Sequence, residues 1–189
     1  MLRTATLSPD GLYRYTLGRR WATGPTLGVV MLNPSTADGL VDDPTIRRCI
    51  GIACMAGYGA LTVVNLFAFR AAHPAELWRA AVDRVGPEND AAIRSATACC
   101  ESLLLAWGAP PPGPRGSIVG DRAAAVERLL DTTGARRLCV GVTMLGHPRH
   151  PLYVRSTQTP IAYRRDTRWP AGCAVEHHRR RLVGHRHLG

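Results

Sequence analysis

Lysine is missing altogether: all twenty-four basic residues of this 189-residue chain are arginine. That absence removes the phosphate-binding lysine of a Walker-type loop, the Schiff-base lysine of pyridoxal chemistry and any side-chain amine for covalent lyase chemistry. No uninterrupted apolar run approaches the ~20 residues that cross a bilayer. The first ten residues, Met1 to Asp10, lack the long apolar stretch of a secretory signal. A cytoplasmic protein with no membrane partner is expected. The six cysteines include no C-x-x-C pair, and three lie in apolar runs where cysteine packs as a small hydrophobe. Neither a zinc centre nor a disulfide framework is expected, and no metal or other cofactor is called for.

What the chain has in excess is positive charge, with 24 basic residues against 14 acidic ones and a formal net charge of +10. A GC-rich codon bias explains arginine in place of lysine but not the surplus over acids. Such a surplus usually answers to a polyanionic partner, most often nucleic acid. The length suits one domain with its own core plus a tail. Residues 1–163 read as the domain. In residues 164–189, seven arginines and four histidines stand against Asp166 and Glu176, a basic tail that either contacts phosphates non-specifically or keeps the protein soluble.

Along the chain, residues 12–21 alternate large apolar and polar positions before Gly18-Arg19-Arg20, which reads as a half-buried antiparallel hairpin. Leu27 to Leu32 is an apolar strand that meets Asn33-Pro34 and a polar Ser35-Thr-Ala-Asp38 turn. Asp42-Asp43-Pro44 caps a helix over Thr45–Met55, which Gly57-Tyr58-Gly59 stops. A second strand spans 60–67, short and long helices follow at 76–82 and 88–100, and a buried strand runs from Ser102 to Trp107. Pro110 to Gly116 reads as an exposed loop, 119–132 as a helix and Leu138–Leu145 as the last central strand. Strands alternating with helices at this spacing imply βαβ units. The expected fold is an α/β three-layer sandwich with a mainly parallel central sheet and an N-terminal β-hairpin.

Three of these strands lead to Asn33-Pro34, to Asn65 and to His150-Pro151. In an open α/β sheet the carboxyl ends of the strands form the ligand crevice. An asparagine amide both donates and accepts, so it can orient a water or read a base edge. A neutral histidine can donate to an anionic leaving group. Each has a structural alternative: Asn33 and Asn65 as strand-end turn formers, His150 as a partner of local backbone. Among Asp38, Asp42 and Asp43, a carboxylate could assist a bound water, while Asp42 and Asp43 serve equally well as helix caps.

Met31-Leu-Asn-Pro-Ser-Thr-Ala-Asp, Asp43-Pro-Thr-Ile-Arg-Arg, Val64-Asn-Leu-Phe-Ala-Phe-Arg, Ala106-Trp-Gly and Gly146-His-Pro-Arg-His-Pro-Leu-Tyr resemble the signature blocks of DUF1643, a bacterial family of unknown function, over about residues 12–165. More remotely, the order of blocks is similar to the uracil-DNA glycosylase superfamily. That likeness implies a glycosylase-like fold and a monofunctional DNA N-glycosylase, metal-independent and monomeric, whose partner is DNA. The excised base would be a pyrimidine, either uracil-like or a hypermodified cytosine of phage DNA, in repair or in phage defence. The implied catalytic residues are Asn33 for the water and His150 for the leaving base, with Asp38 or Asp43 assisting. Base recognition would fall to Asn65, Pro34, Ser35 and Phe67. Arg47, Arg48, Arg149 and Arg155 would grip DNA, with Leu152 or Tyr153 as the wedge. The chain departs from that superfamily at Ser35, where a glycine is usual, and at Leu152-Tyr153 after His150-Pro151. Residues 35–48 hold no aromatic to stack on a flipped base. Two other classes fit the same residues: a nucleotide or nucleoside N-glycosidase, and a non-catalytic nucleic-acid binding module.

Overall fold

A computed structural model describes residues 1–79 and 81–164; Ala80 and residues 165–189, and with them nearly all of the expected basic tail, lie outside the described residues. The fold is α/β around one seven-stranded mixed sheet. Its strands are β1 (Leu2–Leu7), β2 (Arg14–Arg20), β3 (Thr26–Met31), β4 (Ala60–Asn65), β5 (Ser102–Leu105), β6 (Arg136–Cys139) and β7 (Ile161–Ala162), in the order β1-β2-β4-β3-β5-β6-β7. The central four, β4-β3-β5-β6, are parallel. The flanking pairs β1-β2, β2-β4 and β6-β7 are antiparallel, so the sheet is mixed where a mainly parallel one was expected.

Helices cover both faces because the central strands alternate their apolar side chains between them. Leu27, Val29, Met31, Leu61, Val63 and Leu104 pack on Ile46, Cys49, Ile52 and Ala53 of α1 (Pro44–Met55). Val30, Val64, Leu103 and Leu105 face the other way. They pack on Leu77 of α2 (Pro74–Arg79), Ile93 of α3 (Asn89–Thr97), and Val119, Ala123 and Val126 of α4 (Pro114–Leu130).

Three local expectations shift. The N-terminal hairpin pairs β2 with the preceding β1, so Gly18-Arg19-Arg20 lies within a strand, opposite Thr62, Leu61 and Ala60 of β4, and is no turn. The turn falls earlier, where Ser8 and Asp10 side chains accept from Tyr13 N and Leu12 N. The segment 110–116 is loop only in part, since α4 starts at Pro114: the first helical turn needs no amide donor, and Gly113 at φ 75° turns the chain into it. The last central strand stops at Cys139, and Gly141 at φ 126° breaks the extended run that its composition suggested. Among the described residues, no helix is long and apolar enough to cross a membrane.

Candidate functional site

The loop leaving β3 carries the first motif, and two arginines of β2 hold it in place. Arg14 donates from Nη1 to Ala37 O at 2.7 Å, and from Nη2 to Asn65 Oδ1 at 3.3 Å. Arg19 donates to Asp38 O at 2.6 Å and, through Nε, to Asp42 Oδ1 at 2.6 Å. Both side chains are buried. Asp42 is thereby the counterion of Arg19, while Asp43 is the helix cap: its Oδ1 accepts from Ile46 N at 2.8 Å ahead of Pro44. Asp38 accepts from Leu40 N and Val41 N, and those backbone bonds hold its carboxyl below the usual carboxylate range.

Asn33 lies two residues beyond β3. Its Nδ2 donates to Pro34 O at 2.9 Å and to Ala71 O at 3.0 Å. Two carbonyls fix which end of the amide is nitrogen, so Oδ1 is left as an acceptor. His150 lies eleven residues beyond β6. Its Nδ1 accepts from Leu152 N at 3.3 Å at the head of a 3-10 turn over Pro151–Tyr153, which places the ring proton on Nε2. The local-backbone role foreseen for His150 is therefore real, and it sets the tautomer in which Nε2–H is a donor. The close approach of the β5 end makes this possible: Gly108 has φ +83°, its N donates to Pro148 O at 3.0 Å, and a Cβ there would sit 3.3 Å from His150 Cβ.

Asn33 and His150 meet on the wall between two cavities. The larger, about 470 Å³, is lined by both residues and by Met31, Leu32, Trp78, Trp107, Thr143, Arg149 and Tyr153 among others. The smaller, about 170 Å³, shares Met31, Asn33 and His150 and adds Arg14, Ser35, Asp43 and Thr45. Both open at the carboxyl ends of the parallel strands, where such folds bind ligands.

The other sequence candidates are placed in four ways. Asn65 and Phe67 are buried and line neither cavity: Asn65 Oδ1 receives Arg14, and Phe67 packs edge-on against Trp78 at 6.0 Å. Pro34 and Asp38 also line neither. Arg48 is committed within the fold, donating to the carbonyls of Pro151, Val154, Arg155 and Ser156 and so tying α1 to the segment after His150. Arg149 lines the larger cavity and donates to Val142 O. Arg47 and Arg155 are exposed, Arg47 donating to Asp42 O. Leu152 and Tyr153 are 45% and 79% exposed, and Tyr153 lines the larger cavity.

Three lining residues escaped the sequence reading. Trp107, just beyond β5, and Trp78, on α2, supply the aromatic surfaces that residues 35–48 lack. Arg14, a polar position among the alternating residues 12–21, carries nothing in sequence that marks it as buried. Of these, only Trp107 left a signal, an aromatic followed by Gly at a strand end.

Burial holds the His150 pKa below its ordinary 6.5, against the smaller opposing pull of Asp43. A histidine whose folded value is depressed contributes stability that is complete above its unfolded value and is lost as pH falls through the folded one. Wild-type denaturation midpoints should therefore fall as pH is lowered from 6.5, and fall less steeply in His150→Asn, which keeps a capping acceptor. Parallel pH slopes for the two proteins would show that His150 is not held neutral by the fold.

No curated protein and no solved structure matches this chain. A family model does, over residues 14–152, from the first arginine that anchors the β3 loop to the turn that His150 caps. The matched span takes in the lining of the smaller cavity, all of the larger one's except Tyr153, and most of the chain, and the protein belongs to DUF1643, a family described as a protein of unknown function.

Proposed function

We propose that the protein is a monofunctional DNA glycosylase that flips a pyrimidine nucleotide out of the stack and hydrolyses its N-glycosidic bond. The observation that carries this reading is the pairing, on one wall, of an asparagine whose only spare group is an acceptor with a neutral histidine whose only spare group is a donor. Breaking a C1′–N bond needs both. Asn33 Oδ1 can accept from a water and aim its oxygen at C1′, while His150 Nε2–H can donate to the base that leaves as an anion. Asp43, on the smaller cavity with both residues, has a second carboxylate oxygen to take the proton of that water.

The surroundings suit an extruded base. Trp78 and Trp107 can stack on it, and about 470 Å³ accepts a ring larger than plain uracil, as a hypermodified cytosine would require. Arg149, Arg47 and Arg155 can contact phosphates, and Leu152 and Tyr153 can fill the gap left in the duplex. The remote likeness to uracil-DNA glycosylases adds support from the same residues.

Mass spectrometry of small molecules released from uracil-bearing and phage-derived modified DNAs tests this directly. A released pyrimidine is the expected result. Salt-sensitive binding with no released base would instead favour a binding module.

Product strands should carry intact abasic sites that break only after alkali, and borohydride should trap no protein-DNA adduct. Backbone cleavage by a glycosylase runs through a Schiff base on an amine, and this chain has no lysine to form one. A trapped adduct would overturn water as the nucleophile.

A further inference from the structure

Arg14 is a buried cation with too few partners. It is 3% exposed, makes no ion pair among the described residues, and uses two of its five N–H groups, one on a carbonyl and one on a neutral amide. Its Nε has no acceptor. Asp43 is near enough to favour its charge electrostatically but not in contact. A solitary buried guanidinium is costly unless something completes it.

The cavity beside it has the makings of that completion. The 170 Å³ space is lined by Arg14, by Ser35 and Thr45, whose hydroxyls make no hydrogen bond among the described residues, and by His150. Thr45 lies in the first turn of the twelve-residue helix α1, where Pro44 has no N–H and the Ile46 and Arg47 amides are taken by Asp43, which leaves the Thr45 amide and hydroxyl at the positive end of the helix dipole. We infer that this smaller cavity is a subsite for a terminal oxyanion, a phosphomonoester or carboxylate borne by the ligand whose ring occupies the larger cavity. This inference rests on the larger cavity taking a pyrimidine. The arginine lies too deep for an internal phosphodiester, whose chain must leave on both sides, so the group is an end. Asp43 on the same wall opposes a second negative charge, so the subsite favours a carboxylate or the monoanion of a phosphomonoester over the phosphate dianion.

Calorimetry on the full chain tests the subsite without any turnover, so its outcome is independent of whether base is released from DNA. The probes are inorganic phosphate and acetate at fixed ionic strength, then uridine 5′-phosphate against uridine and 5-carboxyuracil against uracil. One equivalent of anion should bind. Asp43→Asn, which still caps α1, should tighten phosphate about tenfold by removing the opposing charge. Ser35→Ala and Thr45→Val should each weaken binding several-fold, and Arg14→Gln should abolish it; if that variant does not fold, the first three decide. A preference for uridine 5′-phosphate over uridine assigns the oxyanion to a nucleotide, and one for 5-carboxyuracil over uracil assigns it to the base. Absent binding, or affinity that Asp43→Asn leaves unchanged, overturns the subsite.

Discussion

His150→Ala and Asn33→Ala are each expected to reduce base release by about 10²–10⁴-fold while most of the protein remains folded, because each removes the one spare group it contributes to the cavity wall. The structural cost of either change is smaller. Losing the His150 acceptor at the head of the 3-10 turn, or the Asn33 donor that serves two loop carbonyls, is worth about 1 kcal/mol. His150→Asn separates the two roles: its amide oxygen can still accept from Leu152 N, but the shorter side chain cannot reach a base in the larger cavity. It should regain stability and stay inactive. Kinetics on oligonucleotide substrate, set beside chemical denaturation of the same preparations, distinguishes the outcomes. Activity that drops only in step with folded protein would mean that Asn33 and His150 are structural.

The largest loss of stability is expected from Asp42→Ala. The Arg19 side chain is 0% exposed, and among the described residues Asp42 is its sole carboxylate partner, at 2.6 Å; its other acceptors there are carbonyls, those of Gly18 and Asp38 at 2.8 and 2.6 Å being the nearest. Removing one partner of a buried pair strands the other charge, at about 3–5 kcal/mol. Asp42→Asn keeps an acceptor and should lose less. Denaturation midpoints at one pH measure both, and a loss under about 1 kcal/mol for Asp42→Ala would show that the carbonyls alone hold the guanidinium. The same variant should loosen the 38–43 turn that presents Asp43 to the smaller cavity, so its effect reaches the site as well as the core.

Much of the local architecture is legible along the chain, because it depends on near neighbours. Asp43-Pro44 caps α1 as an acceptor followed by a residue needing no donor, Gly57 ends it at φ +83°, and apolar alternation marks the central strands. Asn33 and His150 stand out for the same reason, each following an apolar run that stops at a breaker. What the chain order could not show is how distant segments neutralise one another. Arg14 looks like a polar position of an alternating strand and Arg19 like part of a turn; both are inside, because carbonyls from residues 37–41 and the Asp42 carboxylate fold over them, more than twenty positions away for Asp42. Trp78 and Trp107 become neighbours of Asn33 only when α2 and the end of β5 are packed beside the β3 loop. Composition and spacing set which elements form and which strand ends carry polar groups. Only the tertiary structure decided that two buried arginines hold the first loop, and that Asn33 and His150 share one wall between two cavities, since both depend on burial and charge pairing across the sheet.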